Sequence, residues 1–81
     1  MFNFKLVTPE GIAFNEDVEM VIVRTLAGDR GILENHIPMV SIVKESTLKV
    51  KKNGNFQEFQ IEEGFVEVSK SGTVVITDGI K

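Results

Sequence analysis

The chain has 81 residues and a formal net charge of −3 at pH 7, room for one small domain built on a single core and not for two. It contains no cysteine, which rules out disulfides, thiolate catalysis and every cysteine-based metal site and suits a reducing compartment. The mild acidity predicts no bulk attraction to nucleic acid or anionic lipid, and the longest run free of charged residues, Asn35 to Val43, falls far short of the roughly 20 apolar residues of a membrane-spanning helix.

Val and Ile together number 19, against 6 for Ala and Leu. Branched side chains lose rotamer freedom on a helix, so this composition predicts strands. Phe2, Phe4 and Leu6 alternate with Asn3 and Lys5, a first strand with one buried face that ends at TPEG, a turn begun by Pro9. The same N-terminal stretch, MFNFKLV, has neither a basic leader nor a continuous apolar run, so it is not a signal peptide and the chain is expected to be cytoplasmic. IAF (12–14) then pairs back. VEMVIVRT (18–25) is apolar on both faces in its middle, as in a central strand covered on both sides or facing a partner.

MVSIVKE (39–45) and STLKVKK (46–52) follow as shorter strands. Asn53–Gly54 then sits between STLKVKK and NFQEFQIE, the strongest short hairpin signal, because a type I′ turn needs positive φ at both central residues. GFVEVS and TVVIT, joined through KSG, make one more hairpin. No window places apolar residues at helical spacing together with helix caps. The expected fold is therefore all-β, a small antiparallel β-sandwich or flattened barrel in which two packed sheets hide the apolar faces. A partly open small barrel is the alternative. The branched apolar residues outnumber what one core of this size hides, which predicts an exposed apolar patch for a partner.

Unusual chemistry concentrates in GDRGILENHIPMV (28–40), which holds the sole histidine, one of two prolines and one of two arginines. GDRG is not a phosphate loop, which needs a longer glycine-rich turn with a Lys-Ser/Thr pair opening a helix. His36 without cysteine partners makes a poor zinc site and is accounted for by a loop histidine bonded to backbone. Ser41, Ser46, Ser69 and Ser71 lack a base and a nucleophile elbow. Glu62 and Glu63 are adjacent, so on a strand they point to opposite faces and form no acid/base dyad. Lys49, Lys51 and Lys52 have only Phe56 and Phe59 near them, which suits edge protection better than a nucleic-acid surface. Catalysis is thus poorly supported, no cofactor or metal is expected, and the 28–40 stretch is expected to be a recognition loop on a rigid scaffold.

FKLVTPEGIAF, VEMVIVRTLAGDRGILENHIPMVSIV and EEGFVEVSKSGTVVITD together resemble the N-terminal domain of the epsilon subunit of F-type ATP synthase, called delta in mitochondria. The resemblance covers essentially the whole chain and is most specific in the T…GDRGIL…H.P run followed by GFVEV. It implies a β-sandwich of about ten short strands at the foot of the rotating stalk, packed against the gamma subunit, with one end facing the polar loops of the membrane c-ring. On that analogy Asp29, Arg30 and His36 reach toward the ring, Gly28 and Gly31 shape the loop, Pro38 fixes its return, and Glu34 and Asn35 are its other polar tips. Relatives often carry proline where this chain has Glu34 and a small residue where it has Ile37. The family usually continues into a two-helix C-terminal domain that binds nucleotide or inhibits the catalytic head, whereas these residues stop at TDGIK, so a C-terminal helical domain is not expected and regulation of hydrolysis is not carried over. The implied role is a noncatalytic rotor subunit, peripheral at the cytoplasmic face of the bacterial plasma membrane, with gamma and the c-ring as partners and neither nucleic acid nor a membrane span. The alternative is a free-standing binding module for nucleic acid or sugar.

Overall fold

The computed structural model describes all of residues 1–81. Nine strands follow in chain order: β1 (Phe2–Thr8), β2 (Gly11–Val18), β3 (Met20–Thr25), β4 (Gly28–Ile32), β5 (Met39–Val43), β6 (Ser46–Lys52), β7 (Asn55–Ile61), β8 (Gly64–Ser69) and β9 (Gly72–Thr77). The all-β expectation holds. A lone bridge between Ile61 and Ile80 adds one further extended contact. The expected hairpins form where turn chemistry dictated them. Asn53 and Gly54 have φ of 52° and 79°, the two positive values of a type I′ turn, and β1 pairs back on β2 around Pro9 and Glu10. One pairing departs from the antiparallel expectation, since β1 and β9 run parallel.

All nine strands belong to one hydrogen-bonded sheet, ordered β2-β1-β9-β8-β5-β3-β6-β7 with β4 on β3, and that sheet curls back on itself. The larger half is β2-β1-β9-β8-β5 and the smaller half is β4-β3-β6-β7. They are joined where β3 meets β5 by the single pair Thr25 and Val43, and the Lys44 N–H donates to the Arg24 carbonyl at 2.9 Å. From there the chain continues through Lys44–Glu45 into β6, which pairs with the other end of β3, so one bent segment feeds both halves. In β2 the register shifts between Leu6 and Val7 of its partner, a bulge that sharpens the local curl.

Fourteen buried side chains fill the space between the halves, with Phe4, Leu6, Phe14, Val18, Val43, Val66, Val68 and Val75 from the larger and Val21, Val23, Ile32, Leu48, Val50 and Ile61 from the smaller. Where a strand contributes two of them they stand two or four residues apart, because successive side chains leave a strand on opposite faces. Opposite the β3–β5 junction the curl is closed by side chains rather than by a ladder. Phe14 packs against Phe4 with centroids 5.9 Å apart and edge-on against Phe59 of β7 at 5.7 Å, an arrangement that aromatic quadrupoles favour. Lys52 of β6 and Glu16 of β2 form an ion pair across the same seam.

Candidate interaction surface

Gly28–Ile32 is a strand, which corrects the expectation of a single recognition loop over 28–40. It is the second arm of a hairpin, with Thr25 opposite Gly28, Arg24 opposite Asp29, Val23 opposite Arg30 and Ile22 opposite Gly31. The turn is tied by the Thr25 hydroxyl, which donates to the Gly28 carbonyl at 2.8 Å and accepts from the Ala27 N–H at 3.1 Å. The strand escaped the sequence pattern for a physical reason. It lies at the margin of the smaller half, so of its five residues, two of them glycines, only Ile32 is buried, and the alternation that marks a half-covered strand is absent.

Cross-strand pairing sets the charge of this margin. Arg24 Nε donates to Asp29 Oδ1 at 2.8 Å. That bond, with the guanidinium charge and a smaller contribution from Lys49, holds the Asp29 carboxyl below its ordinary range, and the same bond raises the Arg24 guanidinium. Asp29 is therefore a paired carboxylate rather than a free tip. Arg30 and Gly31 are exposed, and a side chain added at Gly31 would meet nothing within 4 Å.

The true loop is 33–38. The His36 N–H donates to the Leu33 carbonyl at 3.2 Å and Asn35 has φ of 68°, which makes Leu33–His36 a type II turn with Asn35 in the position that requires positive φ. Glu34 occupies the preceding position, where proline is favoured. Its carboxylate accepts from the Met1 ammonium at 2.8 Å, and this bond raises the ammonium above its ordinary value. The His36 Nδ1 lies 2.7 Å from the Ile37 carbonyl. A carbonyl only accepts, so the contact places the proton on Nδ1. The loop borders an open cleft of about 750 Å³ whose other walls include Asn3 and the β8–β9 turn from Ser69 to Gly72. Nowhere do three or more His, Asp or Glu side chains gather so as to hold a metal ion.

The seven candidate residues thus divide. Glu34, Asn35 and His36 share one loop, while Gly28 and Asp29 lie at the far end of β4, about 13 Å away at the rise of an extended strand. Arg30 and Gly31 lie between, so the seven form a polar margin along one side of the sandwich rather than one tip.

A second surface was foreseen only in kind, as an apolar patch without residues. On the outward face of the larger half, Ile42 lies opposite Phe65, Phe65 opposite Ile76, Ile76 opposite Val7 and Val7 opposite Ile12. These pairings make one apolar row across five strands. Ile42, Phe65, Ile76 and Ile12 remain 44%, 56%, 53% and 58% exposed, and Val40 on β5 is more exposed still. Single surface apolars are ordinary, whereas a contiguous row marks an interaction surface. The outward positions of GFVEVS and TVVIT are apolar in the sequence, but their alignment depends on the register between strands.

Known proteins agree with this architecture. The family described as "ATP synthase, Delta/Epsilon chain, beta-sandwich domain" matches residues 1–81. The ATP synthase epsilon chain of Alkaliphilus oremlandii is 44% identical over 77 residues, covering 95% of this chain and 58% of the relative. That of Rhodopseudomonas palustris is 40% identical over 77 residues, covering 95% and 57%. The chain therefore spans less than two thirds of the length of these relatives. Among solved structures, a chain of the Euglena gracilis mitochondrial ATP synthase, in an OSCP/F1/c-ring assembly, superposes with a TM-score of 0.91 at 23% identity, over 99% of this chain and 52% of that one. A chain of the Tetrahymena thermophila mitochondrial ATP synthase central stalk and c-ring superposes with a TM-score of 0.85 at 15% identity, over 99% and 65%. At those identities the superpositions speak for the fold, and the full-length family match speaks for descent: this chain belongs to the ATP synthase delta/epsilon chain family, through its β-sandwich domain.

Proposed function

We propose that the chain is a noncatalytic rotor component of the central stalk of an F-type ATP synthase. It links gamma to the c-ring, so that ring rotation is coupled to ATP synthesis or hydrolysis on other subunits. The observation that carries the proposal is the apolar row Ile42, Phe65, Ile76, Val7 and Ile12, a contiguous outward stripe that a free-standing soluble domain would have little reason to expose. In this reading gamma covers the row, and the polar margin carrying Gly28, Asp29, Arg30, Gly31, Glu34, Asn35 and His36 faces the polar loops of the ring. The subunit then sits peripherally at the cytoplasmic face of the bacterial plasma membrane as part of the complex. The carboxylates of the margin serve contact rather than acid/base chemistry, because Asp29 is engaged by Arg24 and Glu34 by the Met1 ammonium.

Co-expression with gamma tests the reading. The chain should co-purify with gamma in equal proportion. Phe65→Asp, which puts a charge within the row between Ile42 and Ile76, should weaken the association by about 2 kcal/mol or more, the scale of a buried aromatic anchor. Unchanged association with a folded Phe65→Asp variant would remove the row from the gamma interface, and a wild-type chain that fails to bind gamma would overturn the stalk assignment.

A further inference from the structure

Asn53–Gly54 has a chemistry that hairpin formation does not exhaust. In any Asn-Gly sequence the glycine nitrogen, once deprotonated, can attack the asparagine side-chain Cγ. A new N–Cγ bond forms, the Cγ–Nδ2 bond breaks, and the leaving nitrogen takes a proton and departs as ammonia. Water then opens the resulting succinimide at either carbonyl to leave aspartate or isoaspartate, so the sum is asparagine plus water giving acid plus ammonia. Glycine makes the attack easy because no side chain shields its nitrogen.

The hairpin ladder closes at the pair Lys52 and Asn55, which leaves the Gly54 N–H without a partner inside the turn. Its partner comes from elsewhere in the chain. Gly54 N–H donates to Glu19 Oε1 at 2.8 Å, across 35 residues of sequence. Glu19 is itself anchored at the β2–β3 junction, where its own N–H donates to the Lys51 carbonyl at 2.8 Å. Both turn residues are exposed to water, so burial does not shield the site.

We propose that Asn53–Gly54 is a latent self-modification site, and that the Glu19 carboxylate bound to the Gly54 N–H holds it unreactive in the folded chain. Two effects act together. A carboxylate at hydrogen-bond distance makes loss of the amide proton harder, because the anionic nitrogen would face a negative charge. Ring closure also requires the peptide between Asn53 and Gly54 to turn toward the Asn53 side chain, which draws the N–H away from Glu19 and out of the type I′ geometry fixed by φ of 52° and 79°. Conversion would change the net charge from −3 by one further negative unit. As isoaspartate it would also insert a backbone methylene into a two-residue turn. That turn sets the β6–β7 register, and through it the position of Phe59 against Phe14 at the seam.

The test is the rate at which the 81-residue chain gains the mass of an amide-to-acid conversion at mildly alkaline pH, with the site located by peptide mapping. Wild type is compared folded and in denaturant, alongside Glu19→Ala, Glu19→Gln and Arg24→Ala, with circular dichroism confirming that each variant is folded. Folded wild type should convert at least about tenfold more slowly than the denatured chain. Glu19→Ala should convert about tenfold faster than folded wild type, the factor expected for losing one hydrogen bond to a charged acceptor. Glu19→Gln, which retains an acceptor oxygen without the charge, should lie between them. Arg24→Ala breaks an ion pair away from this turn and should match wild type. Equal rates for folded wild type and Glu19→Ala would overturn the proposal, as would equal rates for folded and denatured wild type. A similar acceleration by Arg24→Ala would overturn it too, because the protection would then reflect general opening of the fold. Should Glu19→Ala fail to fold, the ratio of Glu19→Gln to wild type decides alone, and a ratio of one counts against the guard.

Discussion

The apolar row and the polar margin, the two surfaces proposed to meet partners, are built in opposite ways. The row draws one residue from each of five strands, Ile42, Phe65, Ile76, Val7 and Ile12, and those residues span 7 to 76 in sequence. The margin comes from one hairpin arm and the loop after it, Gly28 to Pro38, and its charges are answered close by, Asp29 by Arg24 five residues away and Glu34 by the chain's own amino group. The difference teaches where affinity and specificity come from. A contiguous apolar stripe supplies non-directional affinity in proportion to the area covered. Exposed charges add little to affinity, but they steer encounter and fix register against a charged or polar partner. A subunit placed between two others can use the first surface for a lasting joint and the second for an oriented contact.

Both surfaces rest on one core, and the largest expected effect tests that dependence. Leu6→Ala in the larger half and Leu48→Ala in the smaller should each destabilise by about 2–5 kcal/mol. At roughly 4–8 °C per kcal/mol for a domain of this size, the melting temperature should fall by about 8 °C or more. Each variant should still unfold in a single transition by denaturant. Two separate transitions would show that the halves, and hence the two surfaces, are independent units.

Charge reversal sharpens the contrast at the next scale. Asp29→Lys with Glu34→Lys should leave gamma binding intact and the domain folded, since exposed ion pairs contribute at most about 1 kcal/mol each. The same double change should weaken ATP-driven ion pumping in reconstituted membranes, more strongly at low salt. Undisturbed pumping would remove the margin from the ring contact, and lost gamma binding would merge the two surfaces into one.

A smaller effect probes the loop itself. Glu34→Pro places proline at the second position of the type II turn, and should stabilise by about 0.4–1 kcal/mol through the unfolded state, less whatever the ion pair with Met1 contributes. A melting temperature that drops by several degrees would show that the Leu33–His36 turn does not have this geometry.

The smallest effect concerns protonation. Asp29 is held below the ordinary carboxylate range by Arg24, so in a pH titration followed by NMR its carboxyl should titrate below those of unpaired carboxylates, and Arg24→Ala should return it toward them. For a carboxyl depressed in the folded state, the linked stability is present above the unfolded value and is lost as pH falls through the folded one. The pair should therefore matter at neutral pH and vanish in acid. An Asp29 midpoint that Arg24→Ala leaves unmoved would show that the pair does not form in solution.

Local chemistry was legible in advance and long-range register was not. Asn53–Gly54 announced the β6–β7 hairpin because only that class of turn wants two residues at positive φ, and Phe2, Phe4 and Leu6 announced β1 because alternate positions of a strand share a face. β4 was hidden, since a marginal strand with two glycines and one buried side chain carries no alternation, and GDRG read as a loop. The type II turn left a faint trace in Asn35, a residue that tolerates positive φ. The outward apolar positions of β8 and β9 were visible one strand at a time, yet nothing local says that Phe65 stands between Ile42 and Ile76.

Composition, turn residues and alternation therefore determined that this chain is all-β, where most strands begin and end, and which side chains each strand can bury, because those properties depend on neighbours within a few residues. The pairing of β1 with β9, the curl that sets Phe14 on Phe59, the strip formed by β4 and its loop, and the five-strand apolar row were decided only in three dimensions. Each of them joins segments far apart in sequence, and their alignment is chosen by which arrangement closes one core, a condition that no local stretch of the chain can express.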